Sequence, residues 1–139
     1  MINNALIQAA WISKLKANTN VTARVPAVEI REEKYKGTGF TYPNIRVKLG
    51  SLTPTLPNNT CNIFKSEVTI RIYEEQKSSK TADEIAGVVA TEFWQHPFTS
   101  GGVKFTAINL VSVMPADVPE WDTDSWVAEV NLVCLVQSA

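Results

Sequence analysis

His96 is the one histidine of the chain and stands directly before Pro97. As a general base it needs an orienting carboxylate and a nucleophile, and no local set of that kind accompanies it. A histidine close to a helix C-terminus is favoured by the helix dipole, which makes the structural role the simpler reading. A structural zinc site takes four Cys or His ligands, against two cysteines and one histidine spread widely here. Gly37-Thr38-Gly39 lacks the Gly-Lys-Ser/Thr that completes a phosphate loop. Asp122-Thr123-Asp124 resembles the start of a calcium loop without the Gly and distal Glu such a loop requires, so it reads as a turn. Glu32-Glu33 and Glu74-Glu75 read as solvated loop ends rather than as the paired carboxylates of glycoside chemistry. No catalytic, cofactor or metal residue is therefore assigned, and the chain is read as not an enzyme.

The composition agrees with that reading. In 139 residues, 45% are hydrophobic and 19% charged, and 13 basic against 14 acidic side chains leave a net charge of −1. One domain spanning 1–139 accommodates this length. The charge balance gives no reason to expect nucleic acid or an anionic membrane as the main partner. No apolar run reaches the roughly 18 residues of a membrane span, and the first ten residues lack the basic start of a signal peptide. Cys134 lies in an apolar run and reads as a small buried hydrophobe. Its pairing with Cys61 is the weaker alternative, because a reducing compartment is expected.

The elements that must position any site follow from periodicity. Ile2, Ala5, Leu6, Ala9, Ile12 and Leu15 recur at helical spacing, with Trp11 toward the margin of that face and Asn18 expected to end the helix in the left-handed conformation. Val25–Glu32 reads as a short strand with Val28 and Ile30 on one side and Glu29 and Arg31 on the other. Ile45–Leu49 alternates, and Leu52–Asn62 reads as a loop because of its prolines. The strand over Phe64–Tyr73 is the clearest: Phe64, Ser66, Val68, Ile70 and Ile72 alternate with polar residues. Thr81 and Glu84 match a capping box, followed by Ala82, Ile85, Ala86, Val89 and Phe93 at helical spacing, with Pro97 expected to stop the helix. Val103–Val113, bulged near Ala107-Ile108, and Trp126–Gln137 are the last two strands, joined by a connection over Met114–Ser125. The order α-β-β-β-α-β-β predicts an α+β two-layer sandwich, with a mainly antiparallel sheet and two helices on one face.

The aromatics Phe40, Tyr42, Trp94 and Trp121 fall on or beside loops, where protein interfaces place their anchors; Trp11 and Trp126 are expected in the core. The whole pattern resembles the tail-terminator or tail-completion proteins of tailed bacteriophages. The resemblance rests on the helix over Ala5–Lys16, on Tyr42-Pro43 leading into Asn44-Ile45-Arg46-Val47, and on the strand from Glu67 to Tyr73 followed by the helix from Thr81. It also rests on the Asp-rich turn Asp122-Thr123-Asp124-Ser125-Trp126 that opens the long final strand. It implies a virion protein made in the host cytoplasm and placed at the tail–neck junction. There a homohexameric ring would cap the tail tube protein and receive a neck or head-completion protein. Genomic DNA would pass through the lumen without specific binding, and no cofactor is implied. The expected subunit or tail and neck contacts are Phe40, Tyr42, Trp94, Trp121, Asp122 and Asp124. The alternatives are another neck component, such as a head-completion or stopper protein, or a small-ligand-binding α+β domain, since one architecture hosts many functions.

Overall fold

The computed structural model describes residues 2–33, 41–55, 62–75, 79–119 and 125–139. Helix α1 spans Asn4–Ala17. Asn3 caps it by accepting the Leu6 amide at 3.0 Å, and Lys14 and Lys16 sit in the last turn, where the helix dipole favours cations. Its buried stripe is Ile7, Ala10, Trp11 and Leu15, which corrects the expected face. Ala5 and Ala9 are exposed, Leu6 is 46% exposed, and Trp11 is completely buried. Apolar and polar side chains are both spread around this helix, so spacing alone does not choose its inner side. The Trp ring, with the largest area to bury, does.

Asn18 is not left-handed. It is extended (φ −81°, ψ 115°), and its side chain caps a second, four-residue helix, α2 (Thr19–Thr22). Residues Ala27–Glu29 form a 3₁₀ turn rather than strand, so strand β1 is only Ile30–Glu32. That turn reverses two expectations: Val28 is 64% exposed and Glu29 is buried, with a Glu29 carboxylate oxygen accepting the Thr41 amide at 3.3 Å.

Strands β2 (Asn44–Pro54) and β3 (Phe64–Glu74) follow, then helix α3 (Lys80–Phe93), a three-residue strand β4 (Phe98–Ser100), β5 (Val103–Asp117) and β6 (Trp126–Ser138). The sheet order is β1-β2-β3-β6-β5-β4, antiparallel except for the parallel β1–β2 pair. The fold is thus mixed α+β, and the described residues form three α-helices and six strands where two helices and five strands were expected. Both β2 and β5 run several residues beyond their expected ends. The bulge anticipated near Ala107-Ile108 is present between Thr106 and Asn109, with Ala107 at φ 48°.

Helix α3 buries Ala82, Ile85, Ala86, Val89, Ala90 and Phe93, the face read from its spacing. Its N-cap is Ser79, without a side-chain bond, so the Thr81–Glu84 box is not used. The helix also ends before Pro97 can act. Gln95 turns into the left-handed region (φ 61°) and donates its amide to the Ile108 carbonyl at 2.9 Å.

Both long helices join one hydrophobic cluster with the sheet face carrying Ile45, Val47, Val68, Ile70, Ile72, Ala128, Val130, Leu132 and Val136. At its centre Trp11 meets Phe93, Phe98 and Phe105 edge-on, with ring centroids 5.5, 5.1 and 5.3 Å away. Trp126 is half-buried against this cluster, short of the full burial of Trp11. Glu74, expected in solvent, is 2% exposed, and its carboxylate accepts the Glu75 amide at 2.9 Å.

Cys134 is buried and not in a disulfide; its thiol lies 3.8 Å from the Ser66 carbonyl, and burial pushes its pKa up to about 12. Because the thiolate is the reactive species, Cys134 will resist alkylation at pH 8 in the native protein and react once guanidinium unfolds it. Peptide mass mapping checks this, and native-state labelling at Cys134 would contradict its position.

Candidate assembly surface

Helices cover one face of the sheet; the other carries cross-strand rows of polar side chains. Arg46 pairs with Arg71, Arg71 with Glu129, and Glu129 with Met114, giving one row across four strands. Two guanidiniums side by side repel, and Glu33, just after β1, relieves them. Its carboxylate pairs with Arg71, while its carbonyl accepts from Arg46 at 3.2 Å. Arg71 also donates to Glu129 at 2.9 Å. Burial alone would lower the Arg71 pKa, but the Glu129 hydrogen bond and the Glu33 charge together hold it above the ordinary arginine value. Arg46 is lowered, chiefly by burial, against which Tyr73 acts.

The next row is neutral: Thr69 donates to Asn131 at 2.7 Å, and Asn131 donates to Ser112 at 3.1 Å. Lys48 stands beside Thr69 at its outer end. Toward the other end of the strands the face turns more apolar, with half-buried Val133 and Leu135.

Strand β5 exposes several large apolar side chains. Val111, Val113 and Met114 are 66%, 41% and 50% exposed, and Val118 just beyond the strand is 43% exposed. Such a run of adjacent large apolar side chains marks an interaction surface more often than scattered exposed ones do. From Thr106 to Ala116 there is no charged residue. Only Val103, Lys104 and Phe105 of β5 pair with β4, so the outer edge beyond them has no neighbouring strand among the described residues. On the opposite margin, β1 pairs only with Ile45–Val47 of β2, and the outer edge from Lys48 to Pro54 is open in the same sense.

The expected contact residues are not gathered into one place. Phe40, Trp121, Asp122 and Asp124 lie outside the described residues. Tyr42 is half-buried and precedes β2, followed by a cis peptide to Pro43. Trp94 caps the end of α3 and is 47% exposed. They belong to opposite sides of the sheet, with β3 and β6 between β2 and β5. From the sequence, the two long loops and the sheet's edge strands in general are the expected subunit contacts, but neither the exposed β5 residues nor the Glu33–Arg71–Glu129 row is named among them. The uncharged stretch Asn109–Met114 was the available signal for the first; the second joins residues far apart in sequence.

His96 is exposed, three residues past α3, and its amide reaches the Phe93 carbonyl at 3.2 Å. The neighbouring Glu92 carboxyl is held below the usual carboxylate range by the side-chain amides of Asn18 and then Asn20, a link from α2 to α3 rather than a catalytic pair. Among the described residues no group of three or more His, Cys, Asp or Glu side chains is placed to hold a metal ion, and no helix is long and apolar enough to cross a membrane.

No family model matches the sequence, and no curated protein matches it either. Solved structures do. A chain of the virion of a native gene transfer agent particle superposes with a TM-score of 0.72 at 15% identity, over 96% of this chain and 98% of its own. The fold is similar to that of this virion-particle chain. A second solved chain matches with a TM-score of 0.67 and 16% identity, covering 100% of this chain and 99% of its own. Each match thus extends over nearly the whole of the two chains compared.

Proposed function

We propose that this chain is a structural virion protein of the tail-terminator kind. Its 139 residues would act as one domain, assembling as a hexameric ring that caps the tail tube and joins it to the neck. The observation that carries the reading is the end-to-end likeness to a chain of a gene transfer agent virion. Two features of the molecule support it. Its open sheet edges and exposed β5 valines suit contacts with other protein chains, and a head-to-tail contact repeated around an axis closes into a ring. In this reading the partners are further copies of the chain, the tail tube protein and a neck or head-completion protein. Genomic DNA passes through the lumen unbound, and Trp94 and Tyr42, with Phe40, Trp121, Asp122 and Asp124, contribute to the subunit or tail and neck contacts. The protein does no catalysis in this role; its work is to match two surfaces.

Antibody labelling of isolated virions, imaged by electron microscopy, tests this. Label is expected at the tail–neck junction, one site per particle. Label confined to the head portal side would instead favour a head-completion or stopper protein, and absence from the particle would sink the virion reading.

A further inference from the structure

We infer that neighbouring copies of this chain join edge to edge, the outer edge of β5 in one copy pairing antiparallel with the outer edge of β2 in the next. The inference deepens the proposed self-assembly and rests on it. A strand edge with no neighbour offers a row of backbone donors and acceptors, and adding a strand satisfies them. Among the described residues two long stretches of the larger strands have no strand beside them: Asn109–Asp117 of β5, past the Ile108 carbonyl that takes the Gln95 amide, and Lys48–Pro54 of β2, on opposite margins of one sheet.

The side chains select a register. Leu49–Pro54 has no charged residue and Lys48 stands at its start; Thr106–Ala116 has none and Asp117 stands at its end. An antiparallel pairing that sets Lys48 opposite Asp117 also sets Leu52 opposite Val113 and Pro54 opposite Val111. Faces agree as well as charges. Lys48 is the cross-strand partner of Thr69, and Asp117 of Val127, which itself opposes Tyr73, so both charges lie on the helix-free face. Leu52 is opposite buried Ser66 and Val113 opposite buried Val130, so both apolar groups lie on the helix-covered face. A shift of one residue would put each side chain on the wrong face.

The backbone irregularities also agree. Strand β2 slips register between Leu49 and Leu52, and β5 between Met114 and Asp117; in the pairing above these stretches overlap. Pro115 has no amide to give, and the Ala116 amide is already taken by the Asp83 carboxylate at 2.8 Å. Pro54 lacks an amide as well, so the new ladder runs along Ser112–Met114 against Ser51–Thr53, with the ion pair beyond the two bulges. Strand direction alternates from β2 through β3 and β6 to β5, so an antiparallel β2 from the next copy continues the sheet with the same face turned the same way. The contact is heterologous and can repeat from copy to copy.

The test combines charge exchange with covalent capture. Lys48→Asp and Asp117→Lys are each expected to raise the concentration for half-association, measured by light scattering, about tenfold, and the double variant to return it to within about twofold of the parent. Leu52→Cys combined with Val113→Cys is expected to form a ladder of disulfide-linked oligomers under mild oxidation, absent from the parent and from either single variant. A ladder supports the pairing even where the parent sediments as a monomer, since it captures a weak contact. If the parent associates but the exchanges change nothing and no ladder forms, the edge pairing is wrong and self-assembly by another surface stands. If the parent stays monomeric at all concentrations and no ladder forms, the pairing and the self-assembly reading fall together.

Discussion

Replacing Trp11 by Ala lowers the unfolding free energy by about 4 kcal/mol, seen as a fall in the denaturant midpoint at unchanged slope. Trp11 is completely buried and touches Phe93 at the end of α3, Phe98 of β4 and Phe105 of β5. Its removal opens a cavity where both long helices meet the sheet, and each lost edge-on ring contact forfeits roughly 0.5–1.5 kcal/mol beyond the area term. Domains of this kind are stable by only about 5–15 kcal/mol in total, so the variant stands near the limit of folding. Trp11→Phe separates ring packing from the indole. The Trp11 Nε1 has no hydrogen-bond partner among the described residues, and a buried N–H left unpaired is costly. Phenylalanine removes that cost while keeping most of the ring, and its loss is expected at about 1–2 kcal/mol. A cost for Trp11→Ala below about 1 kcal/mol would mean that Trp11 does not organise the core.

What could be read from the sequence tracks how strictly each element is constrained. Strands β3 and β6 lie in the interior of the sheet with one face on the core, so burial imposes alternation and the period shows. The same holds for α3, whose Ala82, Ile85, Ala86, Val89 and Phe93 were legible because the opposite side is polar. Helix α1 had no such contrast: Ala5, Leu6 and Ala9 are as apolar as its buried stripe, and the inner side was decided by a ring that only the tertiary structure could place. Val28 and Glu29 exchanged places because a single 3₁₀ turn changes the period from two to three over a few residues.

The ends of β2 and β5 were missed for a reason that bears on function. Pro54 and Pro115 stopped the strand reading, since proline cannot give a ladder hydrogen bond. An outer strand tolerates proline, because the missing amide faces outward. The prolines that look like strand terminators in the sequence are thus signs of exposed edges in the fold. The polar row across β1 to β6 was invisible for a different reason: Glu33, Arg71 and Glu129 become neighbours only through strand register.

That row carries the second large effect. Arg71→Met is expected to lower stability by about 2 kcal/mol at neutral pH, between the small value of an exposed ion pair and the larger one of a buried pair broken on one side. The intermediate figure follows from accessibility, since the Arg71, Glu33 and Glu129 side chains keep 15%, 21% and 24% of their exposure. Methionine retains the apolar stem that packs along the sheet, so the loss isolates the guanidinium. Without it Glu129 loses its hydrogen-bonded cation, and Glu33 loses its ion pair while keeping its carbonyl contact to Arg46 and the attraction of its charge for that guanidinium. Relief of the Arg46–Arg71 repulsion offsets part of this, which holds the figure well under that for a fully buried pair. Adding Glu129→Gln removes one of the stranded charges, and the double variant should recover about half of the loss, a coupling that a double-mutant cycle in guanidinium reads directly. Equal losses in the single and double variants would show that Glu33 alone balances Arg71. An Arg71→Met protein as stable as its parent would show that the ion pairs do no more than cancel the cross-strand repulsion between Arg46 and Arg71.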